Sequence, residues 1–377
     1  MSQKKVLKMK PGAKKITKIV VSILVVLVLV FGFYFYRKIK LEGIGYSSTA
    51  SRNIILKFKY DYAVSNPNNK TLNRAFESKD YVEKNLDKYK NIKYQDHENL
   101  IKNINALLDK GYTAREVSMI LAHGSDSDVT EFSKKDKVKY LEEFYSYPYA
   151  KLKYYDRYYK YMNEEGEDEE TTIMYINLNM DKEEYTDCEQ VDGNKIDVLV
   201  NKRFCVGKDF TPKNLVKIDK KYVLDGSEDT KAKKEAVTAA VEMIKKAEKS
   251  GLKLFINSGY RSYQDQQDVY DTYFKLYGEN YVKKYVVNPG YSEHQTGLAF
   301  DFASGSKNVF KESEEYTWML ENSYKYGFVF RYSKKKEEIT GIKNEPWHFR
   351  YVGKEAAKKI YEENLSLEEY YVIYGDK

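Results

Sequence analysis

The residues of this chain best suited to chemistry lie in two short stretches, "YSEHQTGLAFDF" (residues 291–302) and "EPWHFRY" (residues 345–351). The first sets His294 in a polar turn and Asp301 in an apolar run, between Phe300 and Phe302. A lone carboxylate in such a run is costly to bury unless something positive compensates it, and a metal ion would do so. The second stretch holds His348, so two of the chain's four histidines fall in one constellation with Asp301. His294, Asp301 and His348 are three nitrogen and oxygen donors, the number that hold a catalytic zinc when its fourth position takes water. Zinc lowers the pKa of that water and polarises a carbonyl, as hydrolysis of a peptide bond at neutral pH requires. Glu345, three residues before His348, has the reach to act as general base.

The elements that must position these groups follow from local pattern. Successive side chains of a strand point to opposite faces. "GLAFDF" therefore reads as a strand with Leu298, Phe300 and Phe302 on the core face and Ala299 and Asp301 on the other. The same arithmetic on "EPWHFRY" groups Trp347, Phe349 and Tyr351 and turns His348 and Arg350 the opposite way. Around them, "KKEAVTAAVEMIKKAEKSG" places Val237, Val241 and Ile244 on one helical face, with Gly251 as the stop. "LKLFINSGYRS" reads as a strand entering a turn, "QDQQDVYDTYFKLYG" and "SEEYTWMLENSYKYG" as helices, and "FVFRYS" as a further strand. Short strands interleaved with helices, without regular βαβ alternation, predict an α+β catalytic domain with a small, mainly antiparallel sheet flanked by helices.

These stretches also carry a resemblance. "SEHQTGLAFD" and "EPWH" match the paired signatures of the D-alanyl-D-alanine carboxypeptidases of the VanY type, in the wider group that includes lysostaphin-like peptidases and hedgehog domains, and "SGYRSYQDQ" looks like that family's substrate-binding segment. The resemblance runs from about residue 198 to about residue 353. It implies a Zn2+ cofactor held by His294, Asp301 and His348, with Glu345 as catalytic base. It also implies that Arg261 grips the substrate's terminal carboxylate, a role suited to the planar two-pronged guanidinium, and that Gln266 and Ser292 help to hold the peptide. The implied reaction is removal of the terminal D-alanine from peptidoglycan stem peptides ending in D-Ala-D-Ala. Two alternatives stay open: an L,D-carboxypeptidase acting on tetrapeptide stems, and a module that binds muropeptides without cleaving them.

The rest of the chain sets this domain in place. Of the 377 residues, 32 % are charged and the net charge is +7, with seven lysines and no acid in residues 1–18. The uncharged run 19–36 that follows just spans a hydrocarbon core and ends in an aromatic cluster. No A-x-A-like cleavage site follows in "FYFYRKIK", so the run is expected to be an uncleaved anchor rather than a signal peptide. The lysines then mark a cytoplasmic tail (1–18), giving a single-pass protein of the cell membrane with its catalytic domain outside. Their position before the span argues against nucleic-acid binding. Residues 37–75, with "GIGYSSTASR" and "SNPNNKT", read as a tether. Residues 76–180 read as a mostly helical region, a spacer or a partner-docking segment, with a capping box at Thr113 and Glu116. The tyrosines of "YYDRYYKYM" are expected to pack small helices. The acidic loop 163–170 forms a boundary, after which "TTIMYINLNM" and "IDVLVNK" read as strands, and the catalytic domain is expected over 190–365. Cys188 and Cys205 either form one disulfide or are two separate small core residues.

Overall fold

In the computed structural model, which describes residues 11–305 and 309–375, the uncharged run lies within a longer helix, Pro11–Gly43. Its stretch Lys15–Gly43 is long and apolar enough to cross a membrane, and its apolar window is unburied by the rest of the chain. The basic tail falls outside the described residues as far as residue 10. Two units are separable, Met1–Ser146 with Lys151–Tyr155, and Tyr147–Ala150 with Asp156–Lys377.

In the first unit, the stretch expected to be a tether is folded instead. It contains helices Ser48–Leu56, Tyr60–Val64 and Lys70–Glu77, whose Ala50, Ile54, Ala63, Leu72, Ala75 and Phe76 are fully buried. The polar residues that suggested a loop are helix caps: the side chains of Ser47 and Asn69 accept hydrogen bonds from the backbone N–H of Ala50 and Leu72. The expected capping box is present, Thr113 and Glu116 exchanging side-chain and backbone bonds at the start of helix Ala114–His123.

In the second unit, two stretches expected as strands are not strands. Residues Glu169–Asn177 form a helix that buries Thr172, Ile173, Ile176 and Asn177, spaced as one helical face, and Asp168 of the acidic loop caps it. "IDVLVNK" forms no strand: Ile196 and Asp197 lie in a turn and Asn201 and Lys202 in a bend, although Val198, Leu199 and Val200 are buried. Two of its carbonyls are satisfied by a side chain, the Arg350 guanidinium donating to Ile196 O and Val198 O at 3.0 and 2.8 Å. Two short ladders come first: β1 (Glu189–Gln190) parallel to β2 (Phe204–Cys205), and β3 (Leu215–Lys217) antiparallel to β4 (Lys231–Lys233). Cys188 and Cys205 are joined by a disulfide beside the first ladder, with Cα atoms 5.8 Å apart.

The central sheet has four strands, β5 (Leu254–Ser258), β6 (Ala299–Ser304), β7 (Phe328–Phe330) and β8 (His348–Tyr351). Their order is β5-β6-β8-β7 and every pairing is antiparallel, so the domain is α+β. Leu298, Phe300, Phe302, Phe328 and Phe349 pack on one face against Ala236, Ala240, Met243 and Ala247 of helix Lys234–Lys249. Fully burying an aromatic or aliphatic side chain of this kind contributes about 1.5–3 kcal/mol, so the face is firmly fixed and the opposite one is free to carry polar groups. Trp347 departs from the expected grouping: it precedes β8, escapes the alternation of the strand and is 45 % exposed.

Candidate metal centre and substrate cleft

The sheet brings the three donor residues together by register. Asp301 on β6 lies directly opposite His348 on β8. A bulge in β5 between Ile256 and Ser258 sets Ser258 against Asp301 on the other side. His294 comes from a short 3-10 helix, Glu293–Thr296, whose first turn is capped by the Ser292 hydroxyl accepting from His294 N–H at 3.3 Å. Gly297, at φ +68, ends that helix in a left-handed conformation that turns the chain into β6.

Each histidine has one ring nitrogen committed elsewhere. His294 Nδ1–H donates to the Gly259 carbonyl at 2.6 Å. Gly259 can stand there only as glycine, because a Cβ would come within 2.5 Å of the Lys231 carbonyl oxygen. His348 Nε2–H donates to Glu293 Oε2 at 3.2 Å. The remaining nitrogens, His294 Nε2 and His348 Nδ1, both lie 3.5 Å from Asp301 Oδ1. Three lone pairs thus face one another with no proton between them. His294 Nε2 and Asp301 Oδ1 are buried and have no hydrogen-bond partner, an arrangement that is costly unless a cation occupies the point on which they converge. All three donor atoms lie within 4.8 Å of one another, so the set fits a metal ion. Burial, with the nearby Arg261 guanidinium, lowers the His294 pKa and favours the neutral ring that a metal ligand needs. Burial works to raise the Asp301 pKa, but the histidines overcome it and hold the carboxyl well below the usual carboxylate range.

Behind the centre lies a charge network that the sequence patterns did not single out. Glu293 Oε1 accepts from Arg331 Nε at 2.7 Å and from Arg350 Nη1 at 3.1 Å. Burial opposes ionisation of Glu293, yet these two guanidiniums keep its pKa well below the ordinary range. Arg331 also makes a two-pronged pair with Glu368, at 2.8 and 2.7 Å, which ties helix Leu367–Tyr374 to the back of the site. The signal was available: Arg331 in "FVFRYS" and Arg350 in "WHFRYV" are charges in apolar strands, as Asp301 is.

The other expected site residues surround one cleft of about 480 Å3, lined among others by Arg261, Gln266, Ser292, Glu345 and the three donor residues. Glu345 Oε2 lies 3.5 Å from His348 Nδ1, and burial pushes its carboxyl up to about 7. Arg261 is anchored through its backbone, N–H to His294 O at 3.2 Å, while its Nε has no hydrogen-bond partner. Gln266 is buried on helix Tyr263–Tyr277 and donates to Val287 O at 2.8 Å, leaving its Oε1 unpartnered. A deep acid beside the donor set, with a guanidinium in the same cleft, has the chemistry to serve hydrolysis of a substrate with a negatively charged end.

Comparison with known proteins bears on the family of the chain. The family model described as VanY, D-alanyl-D-alanine carboxypeptidase, matches residues 229–354. YodJ of Bacillus subtilis is 39 % identical over 216 residues, covering 52 % of this chain and 76 % of YodJ. The D-alanyl-D-alanine carboxypeptidase of Enterococcus faecalis is 44 % identical over 134 residues, 33 % of this chain and 49 % of that enzyme. The chain belongs to the VanY family. Among solved structures, the LdcB LD-carboxypeptidase shares 39 % identity with a TM-score of 0.46 and covers 49 % of this chain and 90 % of that one. VanYB in complex with D-alanine-D-alanine shares 34 % identity with a TM-score of 0.40, covering 46 % and 96 %.

Proposed function

We propose that the protein is a membrane-anchored zinc carboxypeptidase that removes the terminal D-alanine from peptidoglycan stem peptides outside the cell. The observation that carries this reading is the convergence of His294 Nε2, His348 Nδ1 and Asp301 Oδ1, two of them buried without a hydrogen-bond partner, beside Glu345 and in one cleft with Arg261. When bound by those three side chains, zinc supplies Lewis-acid polarisation of a carbonyl and a water of lowered pKa. Glu345 takes the proton of the attacking water and delivers it to the leaving amine of D-alanine, a task suited to a carboxyl whose pKa burial has pushed up to about 7. Arg261 pairs with the substrate's free carboxylate, which restricts cleavage to the last bond of a chain. Ser292 holds the turn that presents His294, and Gln266 offers its unpartnered Oε1 to a peptide N–H. The apolar helix Lys15–Gly43 anchors the chain, its basic end in the cytoplasm.

The discriminating experiment compares three substrates on the zinc-loaded full-length chain in detergent: a stem pentapeptide ending in D-Ala-D-Ala, its C-terminal amide, and the tetrapeptide. Release of D-alanine from the free-acid pentapeptide alone is expected. Equal cleavage of the amide would remove Arg261 from its role, and preferred cleavage of the tetrapeptide would make the enzyme an L,D-carboxypeptidase.

A further inference from the structure

Helix Tyr263–Tyr277 and the following helix Glu279–Tyr285 carry more aromatic side chains than the metal centre uses. Tyr273, Tyr277, Tyr281 and Tyr285 form a continuous ladder of rings. Their centroids are 5.9, 4.6 and 4.8 Å apart in that order, and Tyr273 and Tyr281 are also nearly parallel, at 7° and 5.8 Å. Tyr273, Tyr281 and Tyr285 line the cleft that contains Arg261 and Glu345, and Tyr277 continues the ladder beyond it. These rings are not core: Tyr273, Tyr277 and Tyr285 are 38, 59 and 45 % exposed.

The position of the ladder suggests its occupant. Gln266, Val269 and Tyr273 all line the cleft and succeed one another along one face of helix Tyr263–Tyr277, so the cleft runs along that helix away from Arg261. At 1.5 Å per residue, Tyr273 and Tyr277 lie about 15 and 21 Å along the helix from its start beside Arg261. A pentapeptide extended at 3.3–3.6 Å per residue spans about 17 Å. With its carboxylate on Arg261, a stem peptide therefore passes Tyr281, which lines the cleft with Glu345, and reaches the Tyr277 end of the ladder at its other end, where a glycan strand is attached. A pyranose ring has an apolar C–H face and a hydroxylated rim, complementary to the negative face and the hydroxyl of a tyrosine.

We infer that the Tyr273–Tyr277–Tyr281–Tyr285 ladder is a subsite for the amino sugar of the glycan strand that bears the stem peptide. This rests on the proposed peptidoglycan substrate. One aromatic contact of about 0.5–1.5 kcal/mol corresponds to an effect of roughly 2- to 12-fold. The test measures kcat/KM of the zinc-loaded full-length chain, wild type, Y277S and Y277F, on a stem pentapeptide and on the same stem carrying its N-acetylated disaccharide. Y277S is expected to lower kcat/KM on the sugar-bearing substrate by that factor, through KM, with a change below about twofold on the bare peptide, and Y277F to retain most of the preference. Equal effects on both substrates, or none on either, would overturn the inference. Saturation-transfer NMR with the peptide-free disaccharide reads the same subsite without turnover. Transfer to the sugar C–H protons, lost in Y277S, is expected, and absence of transfer in wild type would overturn the inference. Transfer without cleavage of either substrate would support the sugar subsite while refuting the carboxypeptidase reading.

Discussion

His294 and His348 can offer lone pairs to one point because a carbonyl and a carboxylate have taken the protons of their other nitrogens. Which nitrogen faces the cleft is decided by Gly259 and Glu293, residues outside the donor set itself, as is general for metal-binding histidines. Replacing Glu293 by Gln removes the charge that fixes the His348 tautomer and leaves Arg331 and Arg350 undercompensated. E293Q is expected to weaken zinc binding by about 10–100-fold in competition against a chromophoric chelator, and unchanged affinity would contradict the role. In the proposed reaction Glu345 acts on the proton and not on the metal, so E345A should keep zinc while losing about 100-fold or more in turnover. Metal analysis and D-alanine release on the same sample separate the two effects. At this scale the donor residues were legible because a histidine and a carboxylate in an apolar context have few inexpensive explanations. Glu293 was not, because it sits in the polar turn where an acid is unremarkable, and its burial depends on arginines 38 and 57 residues away.

Strand alternation was a sound guide at the scale of elements. It assigned Phe300 and Phe302 to the core and Asp301 to the opposite face, and the antiparallel β6–β8 register then set Asp301 against His348. The guide failed where side chains replace backbone partners or where polar residues act as caps. Ile196 and Val198 look like strand residues, but their carbonyls are bound by Arg350. Ser47, Asn69 and Asp168 look like loop residues, but each begins a helix. Neither outcome is visible in a local window, since both depend on what the rest of the chain packs against. Helix Leu367–Tyr374 is tied to the site by the Glu368 pair with Arg331, both side chains at 0 % exposure. Removing one partner of a buried pair strands the other charge, so E368A is expected to cost about 3–5 kcal/mol in urea unfolding. A loss below about 1 kcal/mol would mean that the pair is no structural tie.

For the molecule as a whole, composition and order along the chain revealed the apolar run, the basic segment before it and an α+β domain in the second half, and the sheet topology agrees with that fold class. The family match over residues 229–354 falls on the central sheet and its cleft. The disulfide between Cys188 and Cys205 could not be chosen from spacing alone, because pairing depends on the fold bringing the two Cα atoms to a separation that a disulfide can bridge, here 5.8 Å. In the proposed reaction one metal ion, held by His294, Asp301 and His348, is required for cleavage. The most direct test is a titration of the metal-stripped full-length chain with zinc, following D-alanine release from stem pentapeptide. Activity should rise linearly and break at about one equivalent, with no restoration in H294A. Full turnover in the stripped protein, or restoration in H294A equal to wild type, would mean that cleavage does not depend on this metal centre.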